Sequence, residues 1–338
     1  MPMADVDAGQ AETGAVKQSR WKGIRPALGL FFAAPLVAEF LLGNLPIKFL
    51  PALILLAPLY GGGALLIREL VRRTGRGWPS ILVLGMAYAI FEEAFTTQSL
   101  FNPDYLKLNL RLLAPAYIPA LGIGGWWTLW MLNVHAIWSI ATPIALVEAA
   151  VPDRARSPWL GRVGVGVVTC VFLYGAVMLT VAGYRQDHFV ASTAQLAGAA
   201  IAVAVLAVIA LLLPRSEATQ AQRHAPLAWL PAVAALAFGS AALIVPKEWG
   251  WGAVLAVLSL DAVIAALVWT WSRRPGWGLE HQLALGTGTA LAYGWHAFVQ
   301  HPAIGPVDAS VRVGNAIFLL GAIALIAFAA RRVRAAQG

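Results

Sequence analysis

Charged residues are scarce in this sequence. Asp, Glu, Lys and Arg make up 12% of its 338 residues, whereas a soluble domain carries about 25%. Hydrophobic residues make up 59%, and the mean hydropathy is +0.72. Because a chain this apolar cannot cover its surface in water, the composition excludes a soluble globular protein and predicts that membrane lipids surround it.

Cysteine and the common catalytic motifs are also missing. Cys170 is the single cysteine, so no internal disulfide can form. The sequence contains neither His-Glu-x-x-His nor Gly-x-Ser-x-Gly. The triplet Gly61, Gly62 and Gly63 has no Lys-Ser/Thr after it and lies within an apolar run, which predicts close helix packing rather than phosphate binding.

Long apolar runs are abundant, and each is long enough for a membrane helix. About 20 mostly apolar residues cross the hydrocarbon core of a bilayer. The pattern predicts an all-α, polytopic integral membrane bundle of about ten transmembrane helices. The predicted spans are 27–43, 49–67, 79–101, 125–149, 159–182, 190–213, 227–245, 250–271, 282–300 and 312–330.

The basic residues predict the orientation of these spans. Of the 24 Lys and Arg residues, 18 lie in segments on the same side as the N-terminus and 6 lie on the other side. The positive-inside rule therefore predicts cytoplasmic N- and C-termini, in the cytoplasmic membrane of the cell. The basic residues that orient the spans in the membrane also account for the net charge of +8. Nucleic acid is therefore not an expected partner.

The same pattern predicts one domain with two tails. Residues 1–26 are expected to form a disordered cytoplasmic tail, and residues 331–338 a basic cytoplasmic tail. Residues 27–330 are expected to form a single transmembrane domain. The first apolar run is long, contains Glu39 and is followed by further spans, which favours an uncleaved helix over a signal peptide.

Two adjacent carboxylates, Glu92 and Glu93, lie near the middle of the third predicted span. An ionisable residue at this depth costs about 2.5–3.5 kcal/mol on insertion scales, which makes a role in function the better interpretation. Adjacent helical residues point about 100° apart, so both are expected to face the bundle interior without reaching the same point. Two carboxylates this close resist double ionisation, so one is expected to hold a proton, as acid–base chemistry or proton carriage requires.

Further polar residues occur within the predicted spans. His135 lies at a similar depth in the fourth span, where a contact with the glutamates is expected because successive spans are neighbours. Ser139 follows one turn later on the same face. For each polar residue the alternative is a role in packing, and Asp261 is expected to pair with a hydroxyl or amide. The other candidates are Glu39, Tyr88, Gln98, Asn133, His296 and Gln300.

Two ion pairs are expected near the inner membrane boundary. Glu148 lies near the end of the fourth span, within reach of Arg154 in the next loop. Arg68 and Glu69 form the second expected pair. Both are interpreted as structural rather than catalytic.

The order of the central residues resembles the CPBP family of CAAX-protease and bacteriocin-processing intramembrane enzymes. The family motifs read Glu-Glu-x-x-x-Arg, Phe-x-x-x-His and His-x-x-x-Asn/Asp. Glu92 and Glu93 match the first motif, His135 the second, and His296 with Gln300 the third. The sequence departs from the pattern at its Arg, Phe and final positions, which are Thr97, Met131 and Gln300.

The resemblance implies a membrane-embedded Glu/His hydrolase. Glu92 or Glu93 would be the general base, and His135 with His296 would stabilise an oxyanion. The group would activate water directly or bind a divalent metal such as Zn²⁺. Taken together, residues 65–98 and 135–148 look more like a family of uncharacterised bacterial polytopic membrane proteins, which implies no activity.

Two other functions fit the same residues. Glu39, Glu92, Glu93, His135 and Asp261 are also arranged as expected for a proton-coupled transporter or channel for a small solute. The other possibility is a membrane scaffold without chemistry. A carboxylate beside both histidine rings would favour the hydrolase, and acids strung along a continuous path would favour the carrier.

Overall fold

A computed structural model describes residues 23–215 and 224–337. Within these ranges the fold is all-α, as predicted, and one helix of at least 16 residues occupies each predicted span. The helices are α1 Gly23–Leu41, α2 Ile47–Arg73, α3 Trp78–Thr96, α4 Gly125–Ala150, α5 Arg162–Asp187, α6 Thr193–Leu212, α7 Trp229–Ile244, α8 Trp251–Ser272, α9 Leu279–His296 and α10 Ala309–Ala335. A short hairpin, β1 Tyr117–Ile118 with β2 Ile123–Gly124, lies in the loop before α4.

Not all of these helices have the character of a membrane span. In the described part of the chain, eight are long and apolar enough to cross a bilayer. Helix α7 has 16 residues, and α9 has 18 but is rich in polar residues. The finding supports a multi-pass bundle, while the number ten and the side of the termini stay predictions.

Only part of the two predicted tails lies within the residues that the structure describes. Residues 1–22 and Gly338 lie outside the described residues. Gly23 already begins α1, so the first helix starts before the predicted boundary at residue 27. At the other end α10 continues to Ala335, so most of the predicted basic tail is helical.

Helix α4 is the centre of the bundle. It is the most buried of the candidate spans, and it contacts α1, α2, α3, α8, α9 and α10. Helices α5, α6, α8 and α10 lie at the periphery and direct many large apolar side chains outward. This inverted distribution, with polar groups inside and apolar groups outside, fits a protein whose solvent is lipid.

Three glycines allow α2 to approach its neighbours closely, as predicted. A Cβ atom at Gly61 would overlap the Phe31 carbonyl of α1, and one at Gly63 would overlap the Tyr88 ring of α3. A Cβ atom at Gly62 would come within 3.0 Å of Phe172 on α5. The triplet therefore packs α2 against three different helices.

Three helices widen locally into π-helical turns. These turns are Leu36–Leu41 in α1, Glu92–Thr96 in α3 and Val134–Ala141 in α4. Pro35 precedes the first and Pro143 follows the third, and proline removes a backbone donor from a helix. Single π turns within α-helices are frequent at functional sites, and each of these three contains a predicted candidate residue.

A buried ionic cluster joins the end of α2 to the end of α4. Glu148 accepts from Arg72 at 2.6 and 2.8 Å and lies 2.9 Å from Arg68. Arg68 also lies 2.9 Å from Glu69, which confirms that expected pair. The predicted partner of Glu148 was wrong. Arg154 contributes its backbone carbonyl to Arg68, because the loop after α4 folds over α2 and turns that carbonyl inward.

Candidate functional site

His135 bridges the two adjacent glutamates. Its Nε2 lies 2.8 Å from Glu93 Oε1, and its Nδ1 lies 3.3 Å from Glu92 Oε2. Ser139 Oγ is 3.1 Å from the same Nδ1. The expected Glu–His contact is confirmed. Both glutamates face the bundle interior, as expected, and their carboxylates approach opposite nitrogens of one ring.

The glutamates lie in the last turn of α3 rather than in its middle. The helix ends at Thr96, and Gln98 adopts a positive φ of 55°. Glu93 Oε2 accepts hydrogen bonds from the hydroxyls of Thr97, at 2.8 Å, and of Ser99. These bonds fold the chain back over the carboxylate, which explains why the helix is shorter than the predicted span.

The next segments of the chain hold this turn in place. Trp127 Nε1 donates to Ser99 at 2.9 Å. Gln98, a predicted site candidate, does not point into the cluster. Its side-chain oxygen accepts from the backbone of Ala191 at 2.7 Å, which ties the turn to the start of α6.

Two tyrosines pack on the histidine. The rings of Tyr60 and Tyr88 each lie 6.0 Å from the His135 ring and 6.4 Å from each other. Both hydroxyls approach the Glu92 carboxylate closely enough to interact with it. Tyr88 was a predicted candidate, whereas Tyr60 belongs to α2 and follows no polar pattern in the sequence.

Glu39 belongs to the same network. Tyr60 donates to Glu39 Oε1 at 2.6 Å, and Asn44 donates to Glu39 Oε2 at 2.6 Å. Tyr60 therefore stands between Glu39 of α1 and the Glu92 and His135 pair. Four helices contribute to one continuous polar cluster.

The cluster contains more negative than positive charge. Glu92, Glu93 and His135 are all at least 94% buried. Among the ion pairs of residues 23–215 and 224–337, neither Lys nor Arg pairs with Glu39, Glu92 or Glu93. Even with His135 protonated, the carboxylates exceed the cations, so bound protons or a further cation must supply the balance.

The same three residues supply the donor types of a zinc site. One ligand atom each from Glu92, Glu93 and His135 lies within 4.8 Å of the others, and oxygen and imidazole nitrogen both suit Zn²⁺. In this arrangement, however, a ring nitrogen lies directly opposite each carboxylate, and the two nitrogens face different ways. The donor types fit, but their present geometry is that of a hydrogen-bonded triad.

The other predicted candidates lie outside the cluster. His296 is not among the metal-ligating groups that converge within the described ranges, and its ring packs on Trp295. Gln300 donates to the Leu42 carbonyl at 2.7 Å and so caps the end of α1. Asp261 accepts from Asn133 at 2.9 Å, which confirms the expected amide partner and places both residues in a separate contact of α8 with α4.

Access to the cluster is narrow. A cleft of about 140 Å³ between α3 and α4 reaches Glu93, but it is too narrow for a water molecule. Glu93 is its single ionisable lining residue; the others are Ala89, Ile90, Leu100, Thr128, Met131 and Leu132. Through this cleft, water does not reach Glu93 in this conformation.

The loop between α3 and α4 covers the end of the site that is formed by the last turn of α3. Burial, and then the charge of Glu93, raises the pKa of the Tyr105 hydroxyl well above its ordinary value. The loop is tied to α5, because Asp187 accepts from Asn102 at 2.7 Å and from the Leu106 backbone at 3.0 Å. Sequence reasoning missed Tyr105 and this cover, since both depend on contacts distant in the chain.

Comparison with known proteins identifies a family. Residues 30–337 match a family described as an uncharacterized membrane protein family. No curated protein and no solved structure matches the chain. The match gives no support to the resemblance to the CPBP family. Because it extends over most of the sequence, the chain belongs to this uncharacterized membrane protein family and is a multi-pass membrane protein.

Proposed function

We propose that this protein is a carrier that couples proton binding at the Glu92, Glu93 and His135 cluster to the movement of a small solute. The observation that supports it best is the charge balance of the cluster. Three carboxylates and one imidazole share a buried network without a Lys or Arg ion pair in the described ranges. Such a group is stable in the membrane only with bound protons or cations, and binding them is the first step of coupled transport.

The carboxylates of the cluster differ in the number of hydrogen bonds that they accept. Glu93 accepts from Thr97, Ser99 and His135, so its charge is well solvated by the protein. Glu92 is less well solvated, because its buried Oε2 forms no hydrogen bond within the described ranges, and it is the better site for an exchangeable proton. Tyr60 links Glu92 to Glu39 and extends the network toward the end of α1.

Proton exchange with water through the cleft beside Glu93 requires the cleft to widen, because it does not admit water. The π turns in α1, α3 and α4 are the natural flexible points, since all three border the cluster. A carrier that alternates between closed and open forms fits this arrangement.

Infrared spectroscopy tests proton binding directly. In difference spectra of the purified protein between acidic and alkaline pH, the buried protonated carboxyl band is expected to disappear in Glu92→Gln. Gln preserves the shape of the side chain, so gel filtration and melting should match the parent protein. Asp153→Asn is the control because this carboxylate is 78% exposed. A band that survives in both Glu92→Gln and Glu93→Gln would contradict the proposal.

Transport itself is tested in proteoliposomes. An imposed proton gradient should drive uptake of a member of a small-solute panel by the parent protein and by Asp153→Asn. We expect uptake to fall at least about tenfold in Glu92→Gln, which corresponds to roughly 1.4 kcal/mol. Equal uptake by the parent protein and Glu92→Gln would rule out coupling through this residue.

A hydrolase is the second candidate, and one observation favours it. Glu93 lies 2.8 Å from a histidine nitrogen and lines the cleft, which is the geometry of a carboxylate that activates water. Comparing membrane peptides from cells with the parent protein and with Glu93→Gln tests this candidate. Peptides that accumulate only in the variant, together with zinc in the purified protein, would replace the carrier proposal.

The topology proposal retains ten spans with both termini in the cytoplasm. It is supported by the 18-to-6 distribution of basic residues and by the one helix found in each predicted span. Reporter fusions after Gly125 and after Arg156 should lie on opposite sides, because α4 runs from Gly125 to Ala150 between them. Fusions that report the same side would overturn the proposed topology.

A further inference from the structure

Three arginines, which we call the turn arginines, surround the turn that joins α2 to α3; they are Arg73, Arg76 and Arg215. Arg73 donates to the Leu160 carbonyl, two residues before α5, and Arg76 donates to the Leu211 carbonyl at the end of α6. Arg215 follows α6 and reaches the same turn, because a Cβ atom at Gly75 would lie 3.9 Å from two atoms of its side chain. These contacts gather positive charge from two separate stretches of the chain at one end of the bundle.

The carboxylates of this region are already balanced. The buried ionic cluster at the ends of α2 and α4 contains Glu69 and Glu148, and Arg68 and Arg72 supply an equal number of positive charges. Among the ion pairs of the described ranges, the turn arginines have a single acidic neighbour. It is Glu69, which lies 3.4 Å from Arg73 but already pairs with Arg68 at 2.9 Å. The turn arginines therefore carry excess positive charge.

This excess charge can be reached from outside the protein. The Arg73 side chain is 33% exposed. Arg215 is exposed and Arg76 is half-buried. Several guanidinium groups close together attract an anion, and their planar donors match the oxygens of a phosphate group.

An exposed apolar stripe on α6 leads away from the turn arginines. Leu212 follows the residue whose carbonyl Arg76 contacts, and it is 76% exposed. Val208 and Val205 are 54% and 50% exposed, and their spacing of four and three residues places them on the face of Leu212. In a membrane such a stripe contacts hydrocarbon chains. A ligand with an anionic head and an apolar tail complements both features, whereas a soluble anion complements the arginines alone.

We propose that an anionic phospholipid binds at the turn arginines, with its phosphate on the guanidinium groups and an acyl chain along the exposed stripe of α6. Basic pockets between membrane helices bind anionic head groups in this way. The lipid would link the α2–α3 turn to the end of α6. The proposal is independent of the carrier function, because the turn arginines form no contact with Glu92, Glu93 or His135 in the described ranges.

Competition between two lipids tests the site. The purified full-length protein in detergent is mixed with equal amounts of phosphatidylglycerol and phosphatidylcholine that have the same acyl chains. The lipid that stays bound through gel filtration is then measured by mass spectrometry. We expect about one phosphatidylglycerol per chain, in at least about tenfold excess over phosphatidylcholine.

Substitution of single arginines locates the site. The excess of phosphatidylglycerol should fall about fivefold in Arg215→Gln, because each arginine near a lipid head group contributes about that factor. Arg76→Gln should reduce it by at least as much. Arg331→Gln should retain the parent value. It is the matched control, because Arg331 is exposed near the end of α10 and forms no ion pair in the described ranges.

Three outcomes would overturn the proposal. Equal retention of the two lipids by the parent protein would exclude an anionic lipid site. Equal lipid ratios in Arg215→Gln and Arg331→Gln would exclude the turn arginines, and this comparison is decisive even if Arg76→Gln fails to fold. Loss of phosphatidylglycerol when inorganic phosphate is added would mean that the arginines bind a soluble anion instead.

Discussion

Glu148→Gln is expected to destabilise the protein by about 3–5 kcal/mol, because it leaves buried arginine charge uncompensated. Glu148 holds both Arg68 and Arg72, and its side chain is 1% exposed. Gln has the same shape, but its amide group would place a donor against guanidinium donors. With one carboxylate removed, Glu69 alone remains to balance two buried arginines. Yield and the thermal midpoint in detergent should both fall sharply.

The surface of the same region offers a control for this variant. Asp153 lies 3.9 Å from Arg332, and the two side chains are 78% and 47% exposed. Exposed pairs contribute about 0–1 kcal/mol, so Asp153→Asn should melt like the parent protein. Adding Arg72→Met to Glu148→Gln should restore part of the loss, which a double-mutant cycle measures. A Glu148→Gln protein that melts like Asp153→Asn would refute the uncompensated-charge argument.

This cluster also shows where sequence reasoning ends. Glu148 and Arg154 are six positions apart, so a local pair was the natural prediction. The observed partners lie on α2, because the C-terminal ends of α2 and α4 pack together. Which helices meet is a tertiary property, and charge and spacing within one segment do not encode it.

The helices could be predicted from the sequence for a simple physical reason. The thickness of the bilayer fixes the length of an apolar run, so each predicted span contains one helix. The end of α3 could not be predicted from the apolar pattern. Thr97 and Ser99 turn back onto Glu93 and end the helix several residues before the apolar pattern ends.

The centre of the site was predicted because buried charge is costly, while its surroundings were not. Glu92, Glu93 and His135 stand out in an apolar sequence and do meet. Tyr60 was missed because its ring is typical of a membrane helix and only its hydroxyl tip reaches Glu39. His296 entered the prediction as a polar residue within a span and through the resemblance, and the fold places it elsewhere.

Gly61→Ala is expected to destabilise the bundle by about 1–3 kcal/mol, through overpacking of α1 against α2. The added methyl group would overlap the backbone carbonyl of Phe31, which cannot move unless α1 moves as well. Helix α1 carries Glu39, whose hydrogen bond to Tyr60 lies one residue from the substitution. The variant should therefore lose both thermal stability and the geometry of the polar cluster.

Gly198→Ala on α6 separates the overpacking effect from the general effect of adding a methyl group to a helix. A Cβ atom at Gly198 meets nothing within 4 Å, and Ala favours a helix over Gly by about 0.8–1.0 kcal/mol. We expect Gly198→Ala to melt at or above the parent midpoint in the same detergent, and Gly61→Ala well below it. Gly63→Ala should lie between them, because it meets the Tyr88 ring, and a side chain yields more readily than a backbone. Equal melting of Gly61→Ala and Gly198→Ala would mean that α1 and α2 do not approach as closely as the structure shows, and the path from Glu39 through Tyr60 to Glu92 would then lose its support.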